Sequence, residues 1–324
     1  MYKIYNTRIK LTSSYMTPWQ SDTIIGHIFW SIKYRFGEER LNEIISSAKD
    51  GKPLFIVSDA LPVNTFPKFN IDFDFGKLGI DDAKDYSKFK NIKKKKNVDL
   101  EQFNRFIQGE SIEKYYRDEL KNKINETIGS GVLGVSVTHN SINRLSGTTD
   151  GEGGQVFNIE EYFTGSEKGK NSDDSIFDIF FKIREGYDIS ELKIVLEDLS
   201  RNGYGKKNSI GKGSFKIVSE ISEYNNFVKV KEPNAYIVLS NYIPKKFDYD
   251  EVVTAETITK YGKLGGDYAL DDMPFKKPFI CFARGSIFKS DSFGVKGKIL
   301  EGLHHDKKII QFGFPFVLEV KIDE

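Results

Sequence analysis

The sequence carries one cysteine, Cys281, among its 324 residues. A single thiol excludes a disulfide within the chain and any zinc site built from cysteines. It lies in the apolar run PFICFARG and reads as a small buried hydrophobe. Net charge is also nearly absent, since 48 basic residues against 47 acidic ones leave +1. No global field draws the chain to nucleic acid or an anionic membrane, so any such binding has to come from local patches. No window approaches the run of about 20 apolar residues that a membrane span needs. The opening MYKIYNTRIKL holds no apolar signal core. A cytoplasmic protein with no membrane partner is expected. Phenylalanine is abundant, at 26 residues, in a composition 39% apolar and 29% charged. That is enough for a packed core in one large or two modest domains.

Residues 2–11 read as a strand, with Tyr5, Thr7, Ile9 and Leu11 on one face. Ser21 is a suitable N-cap for a helix whose core stripe is Ile24, Ile25, Ile28, Phe29 and Ile32. Gly37 closes it, a short helix fits 38–48, and Leu54–Val57 is a buried strand. Helical pieces fit 99–122. FDIFFKIR (177–184) is a strand, and Ile189, Leu192, Val195, Leu196 and Leu199 mark an amphipathic helix. Strands recur at 214–219, 235–240, 254–261, 279–283 and 316–322. With an insertion of about 59–175 set aside, the first part runs strand, helix, strand, strand, helix, strand. This is the ferredoxin-like βαββαβ pattern. The fold class is therefore α+β, with a domain over 1–220 and a mostly-strand C-terminal part, 221–324, that could be a degenerate second copy. Within the insertion, residues 84–97 carry seven lysines and one aspartate. Such a run is a solvated, mobile face, or else a contact to RNA or a partner subunit.

GYGKKNSIGKGSF (203–215) holds four glycines and three lysines and no acid. A Walker loop or dinucleotide fingerprint follows a strand and opens a helix, so that the helix N-terminus meets the phosphates. Here the helix comes first, and GxxxxGK[ST] is absent, so a mononucleotide site of those types is not expected. A polymer's backbone remains. Arg201, Lys206, Lys207 and Lys212 would neutralise phosphates, with Ser209 beside them and Lys216 flanking. Gly203, Gly205, Gly211 and Gly213 would let main-chain N–H groups approach the RNA. Tyr204 is either a stacking platform or a packed side chain. The competing reading of the stretch is a helix C-cap at Gly203 followed by a hairpin turn.

HNSINRLSGTT (139–149) is a second such stretch, at the end of a segment with period-2 Leu133, Val135 and Val137. His139, Asn140, Asn143 and Arg144 are donors for phosphate, ribose and base edges, and Ile142 could wedge between bases. A solvated Asn-rich turn is the alternative. Metal-free RNA cleavage wants a general acid and base. Of the four histidines, His27 falls on the polar side of the first helix, and His304–His305 sit in a polar turn. His139 has no identifiable partner, and Asp150 is only the nearest acid. No catalytic, metal or cofactor residue is therefore assigned. A ribonuclease and a protein-only structural adaptor remain as alternatives.

PWQSDTIIGHIFWSI (18–32), LFIVSDALP (54–62), HNSINRLSGTT, GYGKKNSIGKGSF, YIVLSNYIP (236–244), KYGKLGG (260–266) and PFKKPFICFARGSIF (274–288) occur in one order. Together they resemble the fourth-Csm-subunit family, RAMP-superfamily proteins of the type III-A CRISPR-Cas antiviral effector complex. The resemblance spans nearly the whole chain. It implies two RRM-like (ferredoxin-like) halves and a non-catalytic, RNA-binding subunit that grips the 5′ repeat-derived tag of the guide CRISPR RNA. It implies as neighbours the large polymerase-like Cas subunit and the first backbone RAMP subunit of the Csm complex. It also implies that 128–154 is a thumb-like hairpin inserted at a kink between guide and target RNA.

Overall fold

The structure, a computed structural model, describes residues 1–80, 82–121, 132–149, 154–165 and 175–322. β1 (Tyr2–Leu11) leads into α1 (Ser21–Lys49), then β2 (Phe55–Val57), β3 (Leu61–Pro62) and β4 (Thr65–Pro67). α2 (Ala83–Lys94), β5 (Asn97–Asp99), α3 (Leu100–Ile107) and α4 (Ile112–Lys121) precede a long hairpin, β6 (Val132–Ser141) and β7 (Gln155–Thr164). β8 (Ile176–Arg184), α5 (Ile189–Asn202), β9 (Phe215–Ile217) and β10 (Ser222–Glu223) follow. The remainder is strand: β11 (Ala235–Val238), β12 (Val252–Thr254), β13 (Thr257–Lys260), β14 (Phe279–Phe282), β15 (Ile287–Lys289), β16 (Ile299–Leu300), β17 (Gln311–Phe312) and β18 (Val317–Val320). Among the described residues no α-helix follows Asn202.

The first sheet has the order β10-β1-β8-β2, with β9 added on β1 and β3 on β8, and its pairs are antiparallel. β8 is central and buried almost throughout, so it is a continuous apolar run where an exposed strand would alternate. α1 and α5 pack together; Ser31 and Arg35 of α1 both donate to the Asp198 carboxylate of α5. The second sheet runs β12-β15-β11-β18. One apolar core joins the two, from Ile9 and Phe180 to Ile237, Phe316 and Val320. No helix is long and apolar enough to cross a membrane among the described residues.

Several sequence expectations are corrected. Ser21 is the first helical residue and not the cap; the residue before it, Gln20, makes no side-chain cap bond. The Ser21 N–H goes instead to Oδ1 of buried Asp59 at 2.8 Å, a carboxylate supplied by the SDALP stretch. The two helices expected on either side of Gly37 are both present within α1, separated by that residue's non-helical φ 90° and ψ 166°. The strand expected over 254–261 is split into β12 and β13. The lysine-rich 84–97 is not a mobile tail. Most of it is α2, which turns Phe89 and Ile92 inward and sets Phe89 edge-on to Tyr116 of α4. Lys68 holds the end of this helix, its ammonium donating to the carbonyls of Ile92 and Lys93 and to the Tyr116 hydroxyl. A charge run leaves room for an apolar face when the lysines fall on the other side of the helix.

Candidate nucleic-acid interface

The stretch after α5 begins as a helix C-cap. Gly203 takes φ 75° and its N–H returns to Leu199 O at 2.9 Å. The chain then folds back on itself around a single turn of 3₁₀ helix, Asn208–Ile210. Positive φ at Gly205, Gly211 and Gly213, and at Lys207, makes the reversal possible. Two of these glycines are fixed by the protein itself. A Cβ on Gly213 would lie 2.0 Å from Tyr204 O, and one on Gly205 would lie 2.6 Å from Thr17 Cβ.

The main-chain donors of the loop are mostly spent inside the protein, which corrects the expectation that the glycine amides approach RNA. Gly205 N–H donates to His27 Nε2 at 3.0 Å, Lys206 N–H to Thr17 Oγ1 at 2.9 Å, and Gly213 N–H to Ser14 O at 2.8 Å. Gly211 N–H closes the 3₁₀ turn on Asn208 O. The amides of Lys207, Asn208 and Ser209 have no acceptor among the described residues. Tyr204 is not a platform for bases. It is fully buried, stacked on Trp19 with ring centroids 3.8 Å apart, and its hydroxyl donates to Pro18 O.

The histidine placed on the polar side of α1 proves to be the loop's anchor. His27 is half-buried, tilted against Tyr204, and accepts the Gly205 N–H. An accepting Nε2 requires the neutral ring, and burial pushes the His27 pKa down to about 4. Acceptor and desolvation thus favour the same protonation state.

Four cations were expected here, and the structure separates them. Lys206 and Arg201 are exposed; among the described residues Arg201 pairs with exposed Glu197, at 3.6 Å, a pair of little consequence. Lys216 is exposed on β9. Lys212 is not a free phosphate contact. Its ammonium is bound to the Glu161 carboxylate of β7 and to Ser14 Oγ. Glu161 is buried, and Lys212 holds its carboxyl below the usual range. The loop has no acid of its own in sequence, but the fold brings one to it.

Glu161 belongs to the β6–β7 hairpin, ten residue pairs in register from Val132↔Thr164 to Ser141↔Gln155. At about 3.4 Å per residue it reaches roughly 30 Å. It is tied to the body near one end, where Tyr15 and Tyr162 exchange both backbone hydrogen bonds and stack their rings. His139 is a strand residue, not part of the tip. Lys207 Nζ lies 3.2 Å from its Nδ1, so this nitrogen accepts and the buried Nε2 carries the proton, without a partner among the described residues. Asn140 is exposed on β6. At the tip Asn143 spends its side-chain oxygen on the Leu145 N–H, making an Asx turn. Ile142 is 56% exposed, Leu145 is 99% exposed, and Arg144 is exposed beside them. Asp150 lies outside the described residues.

The remaining reactive groups are occupied. His304 donates from Nε2 to Met273 O and accepts the Asp306 N–H at Nδ1, so neither nitrogen is left for a metal shared with nearby Asp271 and His305. Cys281 is buried, and burial raises its thiol pKa to about 12.

No family model and no curated protein matches the sequence. Solved structures do. The fold matches a chain in the crystal structure of a Csm1–Csm4 cassette in complex with cA4, at 20% identity and TM-score 0.57 over 99% of each chain. It matches a chain of the Csm3–Csm4 subcomplex of the type III-A CRISPR-Cas interference complex, at 17% identity and TM-score 0.58, covering 98% of this chain and 99% of that one. A Csm1–Csm4 cassette in complex with AMPPNP gives 19% identity and TM-score 0.55 over 99% of each chain. The component these assemblies share by name is Csm4, so the described residues of this chain have a Csm4-like fold, that of the family its ordered sequence motifs resemble.

Proposed function

We propose that this chain is the guide-gripping, non-catalytic subunit of a type III-A CRISPR effector complex. On this reading it binds the 5′ tag of the guide RNA and bridges the large polymerase-like subunit to the backbone RAMP subunits. The observation that carries it is the loop 203–213, a reversal pinned by hydrogen bonds to Ser14, Thr17 and His27, with exposed Lys206 and Ser209, the Lys207–His139 pair, and amides of Lys207, Asn208 and Ser209 that find no acceptor among the described residues. Fixed donors cost little ordering on binding, and phosphate oxygens accept from both ammonium and amide groups. The strand order β10-β1-β8-β2, with α1 and α5 packed together, supports a ferredoxin-like first half. The second sheet, β12-β15-β11-β18, would be the degenerate copy. The β6–β7 hairpin is then the thumb, with exposed Asn140, Ile142 and Arg144 presented to the guide–target kink. Because Lys207 touches His139, the tag-binding loop and the thumb form one continuous surface.

The test is the salt dependence of RNA binding. Each phosphate contact on a single strand contributes a slope of about 0.7 in log K against log salt. Lys206→Ala with Lys207→Ala should weaken binding of a tag oligonucleotide and lower that slope by about 1.4. An unchanged affinity and slope would remove the assignment. Metal-dependent cleavage of the oligonucleotide would favour a ribonuclease instead.

A further inference from the structure

A second aromatic and basic feature lies outside the glycine loop. Tyr261 and Phe275 stack with ring centroids 5.0 Å apart and an interplanar angle of 2°, yet Tyr261 is 60% exposed and Phe275 41% exposed. Paired aromatic rings ordinarily close over one another inside a core. Here the pair stands at the end of the β13–β14 ribbon, which continues past Lys260↔Phe279 to a bridge between Lys263 and Phe275. The two strand segments are free of acid from Thr257 to Gly266 and from Met273 to Ser290. Their cations divide into two sets. Lys260 is paired with Asp22, half-buried Lys276 donates to Ile310 O and Gln311 Oε1, and Arg284 reaches Ala60 O. Lys263 and Lys277, and Lys289 farther along on β15, are exposed and have no carboxylate partner among the described residues. The acids bordering the two segments are Glu256, Asp267, Asp272 and Asp291; Asp267 is held by Lys33 and the Tyr34 hydroxyl, and neighbouring Asp271 accepts the Met273 N–H.

We infer that the Tyr261–Phe275 stack, flanked by Lys263 and Lys277, is a stacking site for a base of single-stranded RNA. An exposed ring face takes any base by stacking, and ammonium groups to either side take the backbone, which is how sequence-tolerant single-strand sites are built. The inference rests on the proposed RNA-gripping function and extends it. Position links the two. The Pro18–Asp22 segment receives the Tyr204 hydroxyl of the glycine loop at Pro18 O and the Lys260 ammonium of the ribbon at Asp22.

The test uses the full chain and a fluorescein-labelled single-stranded RNA of about 20 nucleotides, read by anisotropy, beside the same oligomer carrying abasic positions. Tyr261→Ala and Phe275→Ala should each weaken binding about five-fold or more, while Tyr261→Phe stays near wild type. The abasic oligomer should bind the wild type more weakly than the intact one, and Tyr261→Ala should narrow that difference, a change that misfolding would not produce. If Lys206→Ala with Lys207→Ala weakens binding and the Tyr261 and Phe275 variants do not, this inference falls and the loop assignment stands. Should the Tyr261 variant instead keep its RNA affinity and lose co-purification with partner subunits, the stack is a protein interface and the inference is overturned. A wild-type chain with no affinity for RNA overturns both readings.

Discussion

His27 sets the most quantitative expectation. Its ring is neutral because Nε2 accepts the Gly205 N–H and because burial lowers its pKa to about 4 from an ordinary 6.5. The unfolded chain therefore takes up the proton first as the solution is acidified. Wherever the unfolded state binds more protons, stability rises with pH, so the contribution is complete above about 6.5 and is lost as pH falls toward 4. The gap between 6.5 and about 4 corresponds to about 3 kcal/mol, most of which is gone at pH 4.5. The assay is urea unfolding of wild type and His27→Gln at pH 7.0 and pH 4.5. Every other titrating group is common to both proteins. The wild type should lose about 2 kcal/mol more than the variant between the two pH values. Equal losses would refute the buried neutral histidine, and with it the claim that His27 anchors the loop.

Gly213→Ala and Gly211→Ala separate close approach from backbone strain. A Cβ at 213 meets Tyr204 O at 2.0 Å, whereas one at 211 meets nothing within 4 Å, although both φ values are positive. The first should cost several kcal/mol and the second about 1 kcal/mol, measured by denaturant midpoints. Glu161→Gln removes the carboxylate that holds Lys212 and Ser14. Amide exchange at Tyr15 and Tyr162, the residues joining hairpin and body, should accelerate, and unchanged rates would show the ion pair does not fasten the hairpin. Lys68→Met strips the donor from the Ile92 and Lys93 carbonyls and the Tyr116 hydroxyl. A loss of about 2 kcal/mol is expected from the stranded acceptors, and a stabilised protein would mean that burying the ammonium costs more than its hydrogen bonds return.

The parts of the fold that were legible are those whose pattern is local. The Ile24–Ile32 stripe of α1, the Ile189–Leu199 stripe of α5 and the apolar run of β8 each state their own period, and the structure has those elements. The lysines of α2 hid its helix because the buried face is only Phe89 and Ile92. The loop itself was visible as composition, but its wiring was not. Glu161 reaches Lys212 across 51 residues, and His27 reaches Gly205 across 178, distances over which a single sequence carries no spacing signal. Tyr204 beside four glycines looked equally apt for a base or for the core; only the position of Trp19 decides that it packs. One clue to His27 was present. It lies three residues after Ile24 and one before Ile28, at the border of the apolar stripe, where a half-buried polar group needs a partner.

The central claim, that the outer side of loop 203–213 holds the guide's 5′ tag, is tested most directly by photocrosslinking. A type III-A complex assembled with this chain and a guide bearing 4-thiouridine in the tag, digested and sequenced by mass spectrometry, should yield tag adducts on peptides containing Lys206, Lys207 and Ser209. Adducts confined to other subunits, or on this chain only at sites remote from residues 201–216, would contradict it.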